Sequence, residues 1–175
     1  MLWKNEPEGR KSGARSIWST AAVILILAAC LCMSGCGTDE IDISGYHDQT
    51  ITLTGLAEQD ITVTIDELKA MECVTKKTES TSDKIGKVRA TGPKLETLLA
   101  EHGASQTDFS HIRITAKDGY DVKLNSDVLA DNDIILAFGI DGEPLDAESA
   151  PLRVIIPKSD SAYWIRMVTK IEFVK

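Results

Sequence analysis

The sequence predicts an α+β domain, a compact mixed β-sheet with a few short helices, and three observations support this prediction. Residues 50–175 contain many short segments in which β-branched residues alternate with polar residues, the pattern of half-buried strands. Only three short segments have helical spacing or helix-capping residues. No regular strand–helix repeat connects these segments, so a sheet of the all-parallel α/β type is not expected.

The first predicted elements are two strands and a helix. TITLTG, residues 50–55, and ITVTI, residues 61–65, both alternate with period two. Thr64 and Glu67 have the spacing of a capping box, which predicts a short helix that reaches Met71. Residues 75–87 carry four lysines and one aliphatic residue, which indicates a solvated loop or a weak strand edge.

The second predicted helix lies in GPKLETLLAEHG, residues 92–103. Pro93 suits the first helical position, and Gly103 suits the C-terminal stop. Three leucines at positions i, i+3 and i+4 form its buried stripe, namely Leu95, Leu98 and Leu99.

The remaining elements are mostly strands. HIRITA and YDVKL flank Asp118-Gly119, a strong hairpin signal, and Asn125 or Ser126 can cap a short helical turn. Residues 133–140, DIILAFGI, are apolar without alternation, which predicts a central strand at 134–138 covered on both faces. A turn at Asp141-Gly142 and the strand PLRVIIP follow. The final segment is expected to contribute four residues to the core: Ile165, Val168, Ile171 and Phe173.

The N-terminal residues 1–35 have the organisation of a secretory signal peptide. Four basic residues precede the apolar stretch IWSTAAVILILAA, and small residues follow it. The cysteine-rich end resembles the bacterial lipobox, in which an acylated cysteine becomes the mature N-terminus. Cys36 is the preferred lipidation site because the polar segment TDEID follows it closely. Cys30, which follows Leu-Ala-Ala, stays open as the alternative.

Two other interpretations of this region compete with the lipoprotein. The uncharged run from residue 16 to residue 38 is 23 residues long, enough for an uncleaved membrane helix. A metal site is disfavoured because C-x-C-x₃-C has no histidine nearby. Under either membrane interpretation the rest of the chain lies outside the cytoplasm, with 36–49 as a flexible tether and 50–175 as the domain.

Composition limits the partners of the mature chain. Residues 1–35 hold four of the 19 basic and two of the 27 acidic residues, which leaves residues 36–175 with 15 basic, 25 acidic and a formal net charge of −10. Such a surface repels phosphate backbones, so nucleic acid is excluded as a partner. Cys73 is the single cysteine of the predicted domain, residues 50–175, so no disulfide can form within that domain. If it is buried it acts as a small hydrophobe, and if it is exposed it is a free thiol.

The common catalytic motifs are absent from the sequence. It contains no G-x-S-x-G, no G-x-G-x-x-G, no P-loop and no H-E-x-x-H. The three histidines are scattered along the chain, and carboxylate pairs mean little on so acidic a surface.

Seven fragments, in order over residues 51–174, nevertheless resemble the sulfite-oxidase-type molybdopterin-binding domain. They are ITLTG, TIDELKAM, GPKLETLLAEHG, AKDGYDVKL, AFGIDGEPL, APLRVIIP and the late WIRMV. The resemblance implies a sulfite-oxidase-type fold, and molybdopterin as a possible cofactor. It also implies that Arg153 is an anion contact, with Tyr120 and Trp164 beside it in a ligand cleft.

The chain departs from the family pattern at two places. Enzymes of the family bind molybdenum through a cysteine thiolate in the loop after the first helix, but residues 75–88 contain no cysteine. Where the family has His-Gly-x-Pro-x-Arg, this chain has Glu148 in place of the histidine, and a carboxylate there opposes the binding of a phosphate. The leader also lacks a twin arginine, so export before folding, without cofactor, is expected.

These observations predict a lipid-anchored, extracytoplasmic protein with a degenerate molybdopterin-oxidoreductase-type domain. It is expected to be a non-catalytic binding or accessory module of a surface redox or uptake system, with no metal. Its expected partners are membrane lipid, through the acylated cysteine, and a small molecule or an envelope protein. Arg153, Glu148, Tyr120 and Trp164 are the candidate cleft residues. The alternatives are an active molybdopterin-dependent oxidoreductase with an unusual ligand and a structural cell-envelope protein.

Overall fold

A computed structural model of the chain describes residues 40–82 and 86–175. The predicted signal peptide and both candidate lipidation sites, Cys30 and Cys36, lie outside the described residues. Mixed sheets and short helices form the domain, as predicted. Its strands are β1 (Thr50–Thr54), β2 (Ile61–Thr64), β3 (Cys73–Glu79), β4 (Lys87–Pro93), β5 (His111–Ala116), β6 (Asp121–Asn125), β7 (Ile135–Ala137), β8 (Gly139–Ile140), β9 (Glu143–Pro144), β10 (Arg153–Ile155) and β11 (Val168–Val174). Its helices are α1 (Ile65–Ala70), α2 (Leu95–Glu101) and α3 (Ser126–Asp131), with 3₁₀ turns at Gln106–Asp108 and Ser161–Tyr163.

The largest sheet has five strands in the order β2-β1-β11-β5-β6. The β1–β11 pair is parallel, and the other neighbours are antiparallel. Alternation along each strand sends one set of side chains into the core, as the period-two pattern predicts. Leu53 and Ile171, for example, are register partners and are both fully buried.

A second sheet, in the order β3-β4-β8-β9, and the β7–β10 pair cover the other side of the core. Main-chain hydrogen bonds from Leu95 to the carbonyl of Ile134 (2.9 Å) and from Phe138 to the carbonyl of Thr91 (3.0 Å) connect β7 to β4 and α2. Residues 134–138 are all at most 3% exposed. The predicted burial of this segment is therefore confirmed, together with that of Leu98, Leu99 and Ile155.

Local chemistry marks the start of α1 and the end of α2. The Thr64 main-chain N–H donates to Glu67 Oε2 (2.7 Å), and the Glu67 N–H donates to Thr64 Oγ1 (3.1 Å), which confirms the capping box. Gly103 follows α2 with a φ of +68°, a conformation that glycine adopts at little cost. Pro93 does not begin α2: it pairs with Cys73 as the last residue of β4, and Lys94 is the N-cap.

The structure decides between the loop and the weak strand edge predicted for residues 75–87. Residues 75–79 lie in the edge strand β3, which pairs antiparallel with β4 over seven residues from Cys73↔Pro93 to Glu79↔Lys87. The polar side chains of β3 gave no apolar alternation because β3 is an edge strand whose stability comes from pairing with β4.

The structure also differs from the tether predicted over residues 36–49. Ile41, Ile43 and Tyr46 are between 1% and 5% exposed and belong to the hydrophobic core. The Tyr46 hydroxyl donates to the carbonyl of Phe138 (2.6 Å) and accepts from the N–H of Leu145 (2.9 Å). Burial of these side chains holds the segment from residue 41 onward against the domain, so the packed chain begins earlier than residue 50.

We expect Tyr46→Phe to lower the free energy of unfolding by about 1–3 kcal/mol, because it leaves a buried carbonyl and a buried N–H without their hydroxyl partner. Urea denaturation measures the loss. Tyr163→Phe is the matched control, since Tyr163 is 44% exposed and its change is expected to stay within about 0.5 kcal/mol. Equal stability of Tyr46→Phe and the control would contradict the role of the hydroxyl.

Among residues 40–82 and 86–175, no helix combines the length and the apolar character needed to cross a membrane.

Candidate functional site

An open cleft of about 410 Å³ lies where the β5–β6 turn faces the segment between β10 and β11. Asp118 and Tyr120 come from the turn, and Arg153 comes from the start of β10. The opposite wall is formed by residues of the 3₁₀ turn and of the chain that follows it: Ser161, Ala162, Trp164, Ile165, Arg166 and Met167.

The sequence places these side chains through two local features. Gly119 has a φ of +85°, which allows the tight turn that carries Asp118 and Tyr120. After β10 the chain folds back on itself, so that the N–H of Val154 donates to the carbonyl of Ile165 (2.8 Å). The indole N–H of Trp164 donates to the carbonyl of Ile156 (2.8 Å), which orients the ring at the base of the cleft.

Arg153 is the charged group at the centre of the cleft. Its guanidinium carbon lies 5.9 Å from the centroid of the Trp164 ring, within the range of a cation–π contact. Its Nε is buried and has no hydrogen-bond partner among the described residues. A buried polar atom without a partner is costly, so a cleft ligand that accepts this hydrogen bond would be stabilising.

Electrostatic conditions at Arg153 also favour an anion. Burial lowers the pKa of Arg153, and the nearby positive charge of Arg166 lowers it further, whereas the Asp146 carboxylate raises it. Arginine stays protonated in proteins despite such shifts. Among the described residues, two guanidinium groups and one carboxylate, that of Asp118, line the cleft, which leaves a formal charge of +1 for an anionic ligand to offset.

Glu148 does not line this cleft, although the sequence grouped it with Arg153. Residues 146–149 form a turn in which the N–H of Ser149 donates to the carbonyl of Asp146 (3.0 Å), and this turn directs Glu148 into solvent. Its carboxylate lies 3.8 Å from Arg166 Nη1, and its side chain is 85% exposed. Such a pair contributes little to stability.

The cleft brings together Arg153, Tyr120 and Trp164, as the resemblance implied. Tyr120 is 51% exposed, and its hydroxyl donates to the carbonyl of Ala162 (3.2 Å), which connects the two walls. Arg166 is the residue that the sequence did not indicate. Its only signal was a basic residue two positions after the late tryptophan, in WIRM.

The chemistry of the donor set does not fit a molybdenum centre that takes a protein thiolate. The thiol of Cys73 donates to the carbonyls of Leu68 and Lys69, both at 3.6 Å, and lies in the β3–α1 region rather than in the Arg153 cleft. Burial raises the pKa of this thiol to about 11, despite the charge of Lys69, so it stays protonated near neutral pH. In the described part of the chain, no cluster of three or more His, Cys, Asp or Glu side chains could hold a metal ion.

Comparisons with known proteins agree with the fold. The structure resembles the crystal structure of the sulfane dehydrogenase SoxCD from Paracoccus pantotrophus, with a TM-score of 0.62 and 20% sequence identity. The match covers 73% of this chain but 38% of the SoxCD chain, so this chain spans well under half of that protein. A comparison with curated proteins finds no match.

The family model of the oxidoreductase molybdopterin binding domain matches residues 38–175. This range includes the buried segment around Tyr46, every strand and helix described above, and the whole Arg153 cleft. The match and the shared fold lead to one conclusion. This chain belongs to the oxidoreductase molybdopterin binding domain family.

Proposed function

We propose that this chain is a membrane-anchored, extracytoplasmic binding module that holds a small organic anion in the Arg153 cleft and is not itself a molybdenum enzyme. One observation carries the proposal: the Nε of Arg153 is buried, without a hydrogen-bond partner in residues 40–82 and 86–175, beside an open cleft that a second arginine also lines. A ligand with an anionic oxygen at this position would satisfy the orphaned donor.

Two guanidinium groups favour a ligand with two negative charges. Arg166 interacts with Glu148 at 3.8 Å, and both side chains are more than half exposed, so an incoming anion competes with a weak pair. Each arginine presents a planar set of donors that matches a carboxylate, sulfonate or phosphate group. A dianion would also remove the repulsion between the two arginines.

The walls of the cleft favour a ligand that also has a planar or apolar part. Tyr120 and Trp164 are aromatic, and Ala116, Ile165 and Met167 add apolar surface. The hydroxyl of Ser161 is a further donor at the rim. Ligand sites in proteins commonly combine such apolar walls with a few polar groups that determine orientation.

The main alternative is a working molybdopterin-dependent oxidoreductase with an unusual ligand, and family membership favours it. The chemistry of Cys73 argues against it, since a protonated thiol with two carbonyl partners is a poor metal ligand. Elemental analysis of protein purified from its native membrane separates the two functions. A molybdenum content near one atom per chain would reject the proposed binding module and support the enzyme.

Titration calorimetry tests the cleft with two dianions, sulfate as a compact probe and phthalate as an aromatic one. We expect phthalate to bind more tightly, because the aromatic walls contact its ring. Arg153→Ala should weaken phthalate binding by about tenfold or more, the value of a hydrogen bond to a charged group. Arg153→Lys should recover only part of the loss, because an ammonium lacks the planar set of donors.

Two further variants complete the test. Arg113→Ala is the matched control, because Arg113 is an exposed arginine on the five-stranded sheet that pairs with Asp121 at 3.4 Å. The affinity of this variant for phthalate should equal that of the unaltered chain. Glu148→Gln should raise affinity about two- to fivefold by releasing Arg166 from a weak surface pair. The proposed site would be rejected if neither dianion binds at about 10 mM. It would also be rejected if Arg153→Ala and Arg113→Ala lose the same amount of affinity.

A further inference from the structure

A second hollow, of about 290 Å³, lies along strand β3 and is lined mainly by lysines. Lys76, Lys77, Lys87 and Lys158 are among its lining residues, and Glu79 is the one acidic residue among the described residues that line it. Residues 36–175 carry a formal net charge of −10, so this concentration of positive charge stands out on an acidic protein. None of its residues belongs to the Arg153 cleft.

The described residues only partly neutralise these lysines. Lys76 pairs with Asp133 at 2.7 Å, and Lys87 pairs with Glu79 at 3.4 Å in an exposed position. Lys77 and Lys158 have no carboxylate within 4.0 Å in residues 40–82 and 86–175. The hollow therefore presents a positive potential to an approaching partner.

The same hollow lies beside an open sheet edge. Strand β3 is the first strand in the order β3-β4-β8-β9, so only one of its sides pairs with a strand. Successive residues of a strand direct their main-chain groups to opposite sides, and the carbonyl of Glu79 accepts from Lys158 on the side away from β4 (3.3 Å). By this alternation, Thr75 and Lys77 direct their N–H and carbonyl groups to the same open side.

The bonds on the far side of β4 agree with this assignment. Arg89 is the register partner of Lys77, and its carbonyl accepts from the N–H of Asp141 (2.7 Å), away from β3. Thr91 is the register partner of Thr75, and its carbonyl accepts from the N–H of Phe138 (3.0 Å), also away from β3. Within the described ranges, Thr75 and Lys77 have no main-chain partner on their open side. Residues 158 and 159 thus occupy one end of the β3 edge, and the rest is available.

The conformation of Lys158 supports a functional role for this edge. Its φ is +59°, in the left-handed region that residues other than glycine seldom adopt. The hydrogen bond from its N–H to Glu79 holds it there and keeps its side chain beside Lys77 at the hollow.

We propose that the β3 edge and the lysine hollow form a docking site for an acidic, extended segment of a partner protein. The segment adds a strand to β3 through the main-chain groups of Thr75 and Lys77, and its carboxylates contact Lys77 and Lys158. Strand addition supplies affinity through main-chain bonds and specificity through side chains. A lipid surface would use the lysines but not the open amides, so a peptide fits both features.

The test uses the full chain in detergent and a fluorescein-labelled peptide of eight alternating glutamates and valines. Fluorescence anisotropy should show saturable binding that weakens with salt. Lys77→Glu combined with Lys158→Glu should weaken it by about tenfold or more, because two attractive contacts become repulsive. The matched control reverses two exposed lysines of the β5–β6 hairpin, Lys117→Glu with Lys123→Glu, and should leave affinity nearly unchanged.

A second peptide separates strand pairing from charge alone. N-methylation of alternate amides keeps its carboxylates but blocks the ladder, so its affinity should fall at least about fivefold. Equal binding of both peptides would overturn the strand addition, and absence of peptide binding would overturn the site. A third outcome would point to a lipid surface instead of a partner protein. In that case the chain binds phosphatidylglycerol vesicles but not the peptide, and the Lys77/Lys158 variant loses vesicle binding while the control variant keeps it.

Discussion

Leu98→Ala is expected to lower the free energy of unfolding by about 2–5 kcal/mol, the range for deletion of a large buried side chain. Leu98 is 1% exposed and lies on α2 between Leu95 and Leu99, which are equally buried. The loss includes the transfer free energy of the deleted atoms and the cavity left behind, because the surrounding core relaxes only partly. Such a loss is a large part of the total stability of a domain, about 5–15 kcal/mol.

Helix α2 depends on the packing of its leucines for its stability. The helix has seven residues and no side-chain hydrogen bond at its N-cap, Lys94, and helices this short are not stable by themselves in water. Packing of the leucine stripe therefore holds α2 in place.

Equilibrium unfolding in urea, followed by circular dichroism, measures the change. Glu101→Ala is the control, because Glu101 lies exposed in the last turn of the same helix and its change should stay within about 0.5 kcal/mol. A Leu98→Ala loss below about 1 kcal/mol, with an unchanged denaturant slope, would contradict the assigned core.

Local chemistry explains which elements could be predicted from the sequence. The capping box at Thr64 and Glu67, the Asp118-Gly119 hairpin and the stop at Gly103 each depend on residues close together in the chain. Short sequence patterns therefore predict the conformations of these elements. The apolar run at 134–138 predicted burial correctly, but the central strand expected there is only the three-residue strand β7, which pairs with β10 in a two-stranded sheet.

Elements stabilised by distant partners were predicted less fully. Strand β3 has a polar sequence and depends on its pairing with β4, so its residues fit a loop as well as a strand edge. Residues 41–46 are similar: Ile41 and Ile43 alternate with polar residues, but the run is too short to distinguish from a tether. Only the contacts of Tyr46 with Phe138 and Leu145, more than 90 residues away in the chain, reveal its burial.

The candidate site shows the same division. Arg153 could be identified because the family resemblance extends through APLRVIIP. Arg166 could not, since it reaches the cleft only after the chain folds back and Val154 bonds to Ile165. Glu148 was placed beside Arg153 because the family resemblance puts it at the position of a histidine, and the turn at 146–149 directs it away.

Cys36→Ser is expected either to release the protein from membranes or to leave an unprocessed precursor that carries no acyl chain. The reason is that the acyl chains, at about 0.8 kcal/mol per buried methylene, are the proposed source of binding, and the acidic surface gives no attraction to anionic lipid. Membrane fractionation and labelling with a fatty-acid probe measure attachment and acylation separately. Residue 36 lies outside the described residues, so this prediction rests on the leader sequence.

Two cysteine controls make the result specific. Cys73→Ser should change neither readout, because Cys73 lies half-buried in the folded domain, far along the chain from the leader. Cys30→Ser separates the two candidate sites: if it alone removes the label, the acylated residue is Cys30. Label that survives both Cys36→Ser and Cys30→Ser would reject both candidate sites, and membrane attachment without any label would reject the lipid anchor and favour an uncleaved membrane helix. The Arg153 cleft and the β3 edge would then stay testable, because both lie wholly within residues 40–175.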